Sequence, residues 1–499
     1  MTTRAHISAD LLEQIAREHP TIAVIGDVML DGWWMGRTER MSREAPAPVV
    51  EIAAREIAPG GAANTAMNLA SLGARVRIVG LVGDDEPGRD VARLLRAAGI
   101  DTAGLLVDPS ISTTTKNRIV SGDQVLLRID DVPAEKRDEA LQELLADAAL
   151  TATAQADAEI ISDYGSGAID GILRQALIGR RSRPRLTVVD AHELRHWRAL
   201  APDIVTPNAE EFCRAISADF ATGLSRSEAV AARAADLLAA TGASAAAVTL
   251  DREGAVLVAG GAAPYRTFAH PTPERQASGA GDTFVAALTM ARLAELPFEP
   301  AAEFAQLAAD IVVQRRGTAV CTLDDLLTQL EQPVVPALDA HDLAEMLARH
   351  RREGERIVFT NGCFDVLHRG HTAYLRQAKR LGGVLVVAVN DDASVRRLKG
   401  PDRPINPARD RAAVLAALEC VDYVTVFDSD TPIPLITALQ PDVYVKGGDY
   451  TPAMLEETAA VEAYGGEVRI LDYVPELSTS AIIGRIRDNG SASAKDVPA

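Results

Sequence analysis

The chain has 499 residues, 47% of them hydrophobic, with 51 basic against 70 acidic side chains and a formal net charge of -19. That is material for about two to four folding units, and the acidic balance argues against nucleic acid as the main partner, because binding a phosphate backbone wants a basic face. No apolar run approaches the ~18 residues of a membrane span, and the N-terminal MTTRAHISADLLEQIAREHP reads as an amphipathic helix rather than an export signal. Cys213, Cys321, Cys363 and Cys420 form no C-x-x-C pair, so neither a zinc site nor a disulfide framework is expected. These features predict a cytoplasmic protein that binds neither nucleic acid nor membrane and acts on small molecules.

Taken in chain order, β-branched runs alternate with helical stretches. TIAVIGD at 21–27 and RVRIVGLVG at 75–83 read as buried strands, the second followed by the helical PGRDVARLLRAAG. AEIISDYG at 158–165, LTVVDAH at 186–192, DIVTPN at 203–208 and AAAVTLDREGAVLVAG at 245–260 continue the series. This alternation predicts an α/β fold on a mostly parallel sheet. The stretches at 45–61 and 114–130 instead read as antiparallel hairpin strands of a small appended sheet. The first domain is expected to span 1–331 and a proline-marked linker 332–353. The alternation then restarts with RIVFTNGCFD, VLVVAVN at 384–390, DYVTVF at 422–427, DVYVKGGD at 442–449 and VRILDYVP at 468–475. A second α/β domain over 354–490 follows, with a disordered tail at 491–499.

Four pieces of the first domain carry chemistry. GDVMLDGW puts Asp27 and Asp31 at the carboxyl end of the first strand, the edge where open α/β sheets bind ligands. Carboxylates there can accept hydrogen bonds from sugar hydroxyls, although strand-end turns use the same residues. PGGAANTAMNLASLG at 59–73 opens a helix with Gly60 and Gly61, which let backbone approach a ligand closely, and Asn64, which both donates and accepts. Helix packing through small residues is the plainer account of that segment. TPNAEEF sets Asn208 and Glu211 three apart at a strand-to-helix junction, fit either to face a nucleotide's phosphates or to form a capping box. ASGAGDTFVAAL at 277–288 is the most informative. The N–H groups of Gly279, Ala280 and Gly281 would converge at a helix start as an anion hole, and Asp282 stands where a base could deprotonate an attacking hydroxyl, as phosphoryl transfer requires.

In this order and spacing the four pieces resemble the ribokinase-like (PfkB) sugar kinases, over nearly the whole segment. The resemblance implies a three-layer domain with a small β lid that covers the sugar and often makes a dimer. It implies that Asp282 is the base, that Gly279, Ala280 and Gly281 form the anion hole, and that Asn208 and Glu211 organise Mg2+-ATP. Asp27, Asp31, Gly60, Gly61 and Asn64 would contact the sugar. A potassium requirement, common in that family, stays open.

In the second domain, TNGCFDVLHRGHTAYLRQAKRLG runs from a strand into a helix and places His368 and His371 on one helical face. A zinc reading would need a third ligand and lacks the glutamate of H-E-x-x-H. Imidazoles beside a helix N-terminus can instead stabilise a phosphate undergoing attack. ELSTSAIIGRIR supplies a second helix start at Ser478, Thr479 and Ser480, for capping or for phosphate binding. RRLKGPDRPINPARDR contributes Lys399, Arg409 and Arg411, and VKGGDY contributes Lys446 and Asp449. The segment 362–371 followed by L-S-T-S resembles the cytidylyltransferase-like nucleotidyltransferases, with a Rossmann-like fold; the family's usual I-S-S-T is varied here. By that resemblance His368 and His371 stabilise the transition state and Lys399 neutralises phosphate charge, helped by Arg411. Asn361, Gly362, Phe364 and Asp365 would shape the pocket.

A PfkB-like kinase followed by an H-x-G-H transferase resembles the bifunctional enzymes of ADP-heptose synthesis, and RMSREAPAPVVE at 40–51 resembles their kinase half. The resemblance implies phosphorylation of D-glycero-β-D-manno-heptose 7-phosphate at C1, then, after a separate phosphatase, transfer of AMP from ATP to the 1-phosphate. The product would feed lipopolysaccharide core assembly. Arg43 and Arg118 are candidates to grip the 7-phosphate. Two other readings share these motifs: a sugar-phosphate kinase fused to a CTP-using transferase, and a sugar-phosphate sensor on a kinase scaffold.

Overall fold

The computed structural model describes residues 19–122, 124–132, 138–169, 171–220, 223–269, 277–331, 340–352, 354–401, 403–448 and 451–471. The chain divides into two compact units at Thr328/Gln329. Within the first, nine strands form one sheet, in the order Tyr265–Thr267, Ala255–Ala259, Ala245–Thr249, Ile204–Val205, Leu186–Ala191, Ala158–Asp163, Thr21–Gly26, Arg75–Gly83, Asp101–Asp108. All neighbours run parallel except at the edge formed by Ala255–Ala259 and Tyr265–Thr267. The central strands read as continuous Val/Ile/Ala runs because both faces are covered. Ile25, Ile161 and Val189 point toward a layer containing Leu145, Leu173, Trp197 and Phe212. The alternate residues meet the helices Ala62–Ser71, Ala280–Leu293 and Phe298–Val313. Trp197 is fully buried; truncating such a side chain costs about 3–5 kcal/mol.

The appended sheet has four strands, ordered Pro48–Gly61, Val28–Met41, Thr114–Ser121, Gln124–Asp131. Its make-up corrects one expectation. The chain leaves the central sheet at Asp27, and Asp31 lies on the lid strand Val28–Met41 instead of ending the first strand. Pro48–Gly61 pairs antiparallel with that strand, and Thr114–Ser121 runs parallel to it on the other side.

The second unit has five parallel strands in the order Tyr423–Phe427, Val384–Asn390, Ile357–Gly362, Val443–Gly447, Glu467–Leu471. The strand order reverses between Ile357–Gly362 and Val443–Gly447, which opens a crevice at their carboxyl ends. One face packs on Leu435, Ile436 and Val461, the other on Tyr374, Leu375, Ala412 and Leu415. The stretch expected to be linker contains a helix, Ala340–Arg352, whose Leu343 and Leu347 are fully buried in this second core. Among the described residues no helix is long and apolar enough to cross a membrane.

Candidate active sites

A cavity of about 380 Å³ opens at the carboxyl ends of the first sheet. Of the residues expected there, Asp31, Gly61, Arg118, Asn208, Glu211, Gly279, Gly281 and Asp282 line it. Asp31 is nearly buried; its Oδ2 accepts from the Thr318 hydroxyl at 2.9 Å. Arg118 lies 3.2 Å from Asp31 Oδ1, a buried oxygen that no aligned hydrogen-bond donor satisfies. The Arg118 guanidinium also stacks 4.8 Å from the Trp33 ring centroid and donates to Ser278. Gly60 sits under Asp31: a Cβ there would fall 3.0 Å from its carboxyl carbon.

Asp282 is held by a chain of amides whose orientation is determined at its far end. The backbone N–H of Cys321 and the Thr283 hydroxyl both donate to Asn68 Oδ1, at 3.1 and 3.0 Å. The Asn68 amide nitrogen must then face Asn64 Oδ1, 3.3 Å away. That leaves Asn64 Nδ2 to donate to Asp282 Oδ2 at 2.7 Å. Gly279, at φ 90, caps the helix Ala280–Leu293, and a Cβ on it would lie 2.2 Å from Asn64 Nδ2. Glycine is required twice over, for the left-handed backbone and for this close approach. Burial pushes the Asp282 carboxyl up to about 6.

At the other end of the cavity Asn208 and Glu211 do form the capping box, with Asn208 Oδ1 accepting from the Glu211 N–H at 2.9 Å and Glu211 Oε2 from the Asn208 N–H at 2.8 Å. Capping and cavity lining are both satisfied. Glu211 Oε1 lies 2.6 Å from His192 Nδ1, and this bond raises the histidine's pKa. Both Glu211 oxygens are thus engaged, so the set suits a hydrated metal–nucleotide better than direct metal ligation. Among the described residues no cluster of three His, Cys, Asp or Glu side chains could hold a metal ion.

Asp27 corrects an expectation. Its carboxylate is 1% exposed and accepts backbone N–H bonds from Tyr164, Ser166 and Ala168 at 2.8–3.0 Å. With both oxygens satisfied away from the cavity, it anchors the 164–168 loop rather than a sugar. Lys116, Tyr164, Asp190 and His192 also line the cavity, beyond the residues expected from the motifs. Tyr164 and His192 follow directly on strands, and Asp190 lies near the end of one, so the rule that placed Asp27 at the ligand edge would have found these three as well.

In the second unit, the helix Arg369–Lys379 starts just after His368, and the His368 and His371 ring centroids lie 3.9 Å apart. The His368 backbone N–H donates to His371 Nδ1 at 3.4 Å. That assigns the remaining His371 proton to Nε2, a donor. Desolvation, then the neighbouring His368 and Lys399, pull the His371 pKa down to about 4. The imidazole is therefore neutral at pH 7. The Phe364 ring meets it edge-on at 5.5 Å, from a backbone at φ 46 that non-glycine residues seldom adopt. A Cβ on Gly362 would touch that same ring at 3.1 Å. Asn361 Oδ1 accepts from Tyr444 at 2.8 Å and from Lys446 at 3.1 Å.

Two expected contacts turn out to be braces. Asp365 accepts from the N–H groups of Ile405 and Asn406 and pairs with Arg403. Arg411 is 2% exposed and spends its three nitrogens on Asn406 O, Cys363 O and Asp392. Both are buried and committed to partners within the domain, and both hold the loop that carries Cys363 and Phe364. Lys399 ends the helix Asp392–Lys399 and Arg409 is exposed. Asp449, Ser478, Thr479 and Ser480 lie outside the described residues.

Residues 20–325 match the family model of pfkB family carbohydrate kinases, and residues 359–485 the cytidylyltransferase-like model. The bifunctional protein HldE of Chromohalobacter salexigens is 40% identical over 487 residues, 96% of this chain and 99% of that protein. The bifunctional protein HldE of Helicobacter pylori is 39% identical over 470 residues, 93% and 98% of the two chains. Among solved structures, phosphofructokinase-2 from Escherichia coli in complex with potassium shares the fold of the first unit, with a TM-score of 0.53 at 18% identity over 63% of this chain and 98% of that one. The chain therefore belongs to the bifunctional HldE family, with a pfkB-type carbohydrate kinase and a cytidylyltransferase-like transferase in one polypeptide.

Proposed function

We propose how the two sites divide the two reactions of this bifunctional transferase. The first head phosphorylates D-glycero-β-D-manno-heptose 7-phosphate at C1 with ATP; the second transfers AMP from ATP to D-glycero-β-D-manno-heptose 1-phosphate, giving ADP-heptose and pyrophosphate. The observation that carries the first assignment is Asp282 at a glycine-opened helix start, in one cavity with Asp31 and Arg118 on one side and Asn208 and Glu211 on the other. Asp282 takes the C1 hydroxyl proton as the oxygen attacks the γ-phosphorus. The N–H groups of Gly279, Ala280 and Gly281 receive the transferring oxygens. Asp31, Gly60, Gly61 and Arg118 face the sugar, with Asn64 orienting the base. Mg2+ bound with ATP would supply charge neutralisation, and Asn208 and Glu211 are the residues placed to organise it.

In the second head the attacking group is already an anionic phosphate, so no base is needed. His371, neutral and with its proton on Nε2, and His368 donate to the α-phosphate oxygens, and Lys399 adds positive charge. Asn361, Gly362 and Phe364 shape the nucleotide pocket, and Ser478–Ser480 complete the phosphate contacts. We place the kinase head at 1–331 and the transferase head at 354–490, with the helix Ala340–Arg352 packed on the latter. Exposed Ile52, Ile57, Leu127 and Ile129 on the lid support a homodimer formed there. Free cysteines and the use of ATP support a cytoplasmic setting.

The test is product analysis by mass spectrometry, with the full chain, heptose 7-phosphate, ATP and a phosphatase. ADP-heptose is expected. A 1,7-bisphosphate that never forms would overturn the kinase assignment, and pyrophosphate release with CTP alone would overturn the adenylyl assignment.

A further inference from the structure

Tyr164 places one phenolic hydroxyl between two carboxylates. Its oxygen lies 2.5 Å from Asp190 Oδ2 and 3.0 Å from Asp282 Oδ1. A phenol has one proton to donate, so it cannot donate fully to both. The shorter contact marks Asp190 as the acceptor. The second contact becomes a full hydrogen bond only when Asp282 carries a proton and donates it to the phenol oxygen, which is the state of Asp282 after it has deprotonated the sugar. The amide chain biases which oxygen carries that proton. Asn64 Nδ2 donates to Asp282 Oδ2 at 2.7 Å, whereas the Thr65 hydroxyl reaches Oδ1 only at 3.5 Å, so the proton is carried on the less firmly held Oδ1, the oxygen nearest Tyr164.

We propose that Asp282, Tyr164 and Asp190 form a proton relay, in which the proton taken from the sugar hydroxyl is passed through the tyrosine to Asp190 during phosphoryl transfer. The proposal rests on the reading of Asp282 as the base. The sugar O–H breaks as the O–P bond forms, Asp282 Oδ1 gains that proton, and Tyr164 receives it while giving its own to Asp190 Oδ2. Tyr164 ends neutral and Asp190 ends protonated. The exchange is concerted, because burial and the two carboxylates push the Tyr164 pKa well up and make a free phenolate unfavourable.

The surroundings favour this direction. Asp282 is faced by Asn64, Thr65, Asp31 and by the cationic Lys116, whose charge lowers its pKa. Asp190 is faced by Tyr164, by the Thr206 hydroxyl at 3.1 Å and by the negative charge of Glu211. Burial first, then Glu211, raise the pKa of Asp190, whereas the rise that burial gives Asp282 is opposed by Asn64, Tyr164 and Lys116. With a ligand filling the cavity, the phenol offers the base a route for its proton that does not depend on water. Asp190 lines the same cavity on the side of Asn208 and Glu211 and can release the proton when the nucleotide leaves.

The test is rapid-quench, single-turnover phosphorylation of heptose 7-phosphate by Mg2+-ATP in mixtures of H2O and D2O, for the full chain and for Tyr164→Phe, Asp190→Asn and the double variant. Wild type is expected to give a bowed proton inventory, because more than one proton is in flight. Each single variant is expected to slow the step about tenfold, at the low end of what assisted proton transfer contributes, and to give a linear inventory. The double variant is expected to be no slower than either single. A linear inventory in wild type overturns the relay whatever the variants do. So do effects that multiply in the double variant, or variants that are slowed while their inventory stays bowed. Asp282→Asn separates the two readings: if it keeps its kinase rate, the base assignment fails, whereas a dead Asp282→Asn beside silent Tyr164→Phe and Asp190→Asn removes only the relay.

Discussion

The two heads solve the same local problem in the same way and the chemical problem in opposite ways. Just past its first strand each carries a buried aspartate that braces loop backbone near the reacting groups. Asp27 accepts three N–H groups of the 164–168 loop, and Asp365 accepts those of Ile405 and Asn406. The reacting groups then diverge. The first head must deprotonate an alcohol, and it carries a carboxylate that burial raises to about 6. The second must only stabilise charge on a phosphate, and it carries an imidazole that burial keeps neutral down to about 4. Desolvation disfavours the charged form in both cases. It strengthens a carboxylate as a base and turns a histidine into a neutral donor.

This contrast can be broken at several points. The largest effect is expected from Asp282→Asn, which should lower kinase kcat about a thousandfold while pyrophosphate release by the same preparation stays at the wild-type rate. Loss of both activities would mean that the sites are not independent. His371→Asn should do the reverse, slowing pyrophosphate release about a hundredfold with ADP formation at the kinase site unchanged.

The braces offer a test of stability rather than rate. Asp27→Ala leaves three buried N–H groups without their acceptor, and Asp365→Ala leaves two together with Arg403. Each should destabilise its own unit by about 2 kcal/mol, seen in calorimetry as a shift of one transition only. A pair of variants that left both transitions in place would return these carboxylates to the role of ligand contacts. Gly279→Ala should cost less, about 1–2 kcal/mol for the left-handed backbone, and by displacing Asn64 should slow the kinase about tenfold without touching the transferase.

The finest distinction is in pH. Asp282 must be ionised to act, so the kinase step should fall as pH drops through about 6. His371 should keep its neutral Nε2–H form down to about 4, read directly from imidazole nitrogen shifts by NMR because substrate phosphates titrate near 6 themselves. A His371 midpoint above 6 would make it a cation at work and remove the contrast.

Much of this was legible beforehand. Continuous Val and Ile runs mark strands covered on both faces, and their alternation with helical stretches predicts parallel sheets from local pattern alone. GAGD and H-x-G-H are equally local, because a helix start and the residues on its first turn are neighbours in sequence. The linker region was harder: the prolines of 332–342 signal a break, but the burial of Leu343 and Leu347 depends on a core formed far along the chain.

What the sequence determined by itself, then, is the pair of α/β heads, their order, and the groups that sit on helix starts, since these depend on periodicity and short-range spacing. Which carboxylates face a ligand was decided only by the tertiary structure. Asp27 and Asp31 are four residues apart and look alike in sequence, yet one is saturated by backbone 137 residues or more away and the other lines the cavity with Arg118 and Thr318 as its partners. The same holds for Arg411, which resembles a phosphate ligand until its three partners are counted. It holds also for Tyr164 and Asp190, which meet Asp282 only where strands separated by many residues end side by side. A carboxylate's role is set by which donors surround it, and long-range packing chooses those donors.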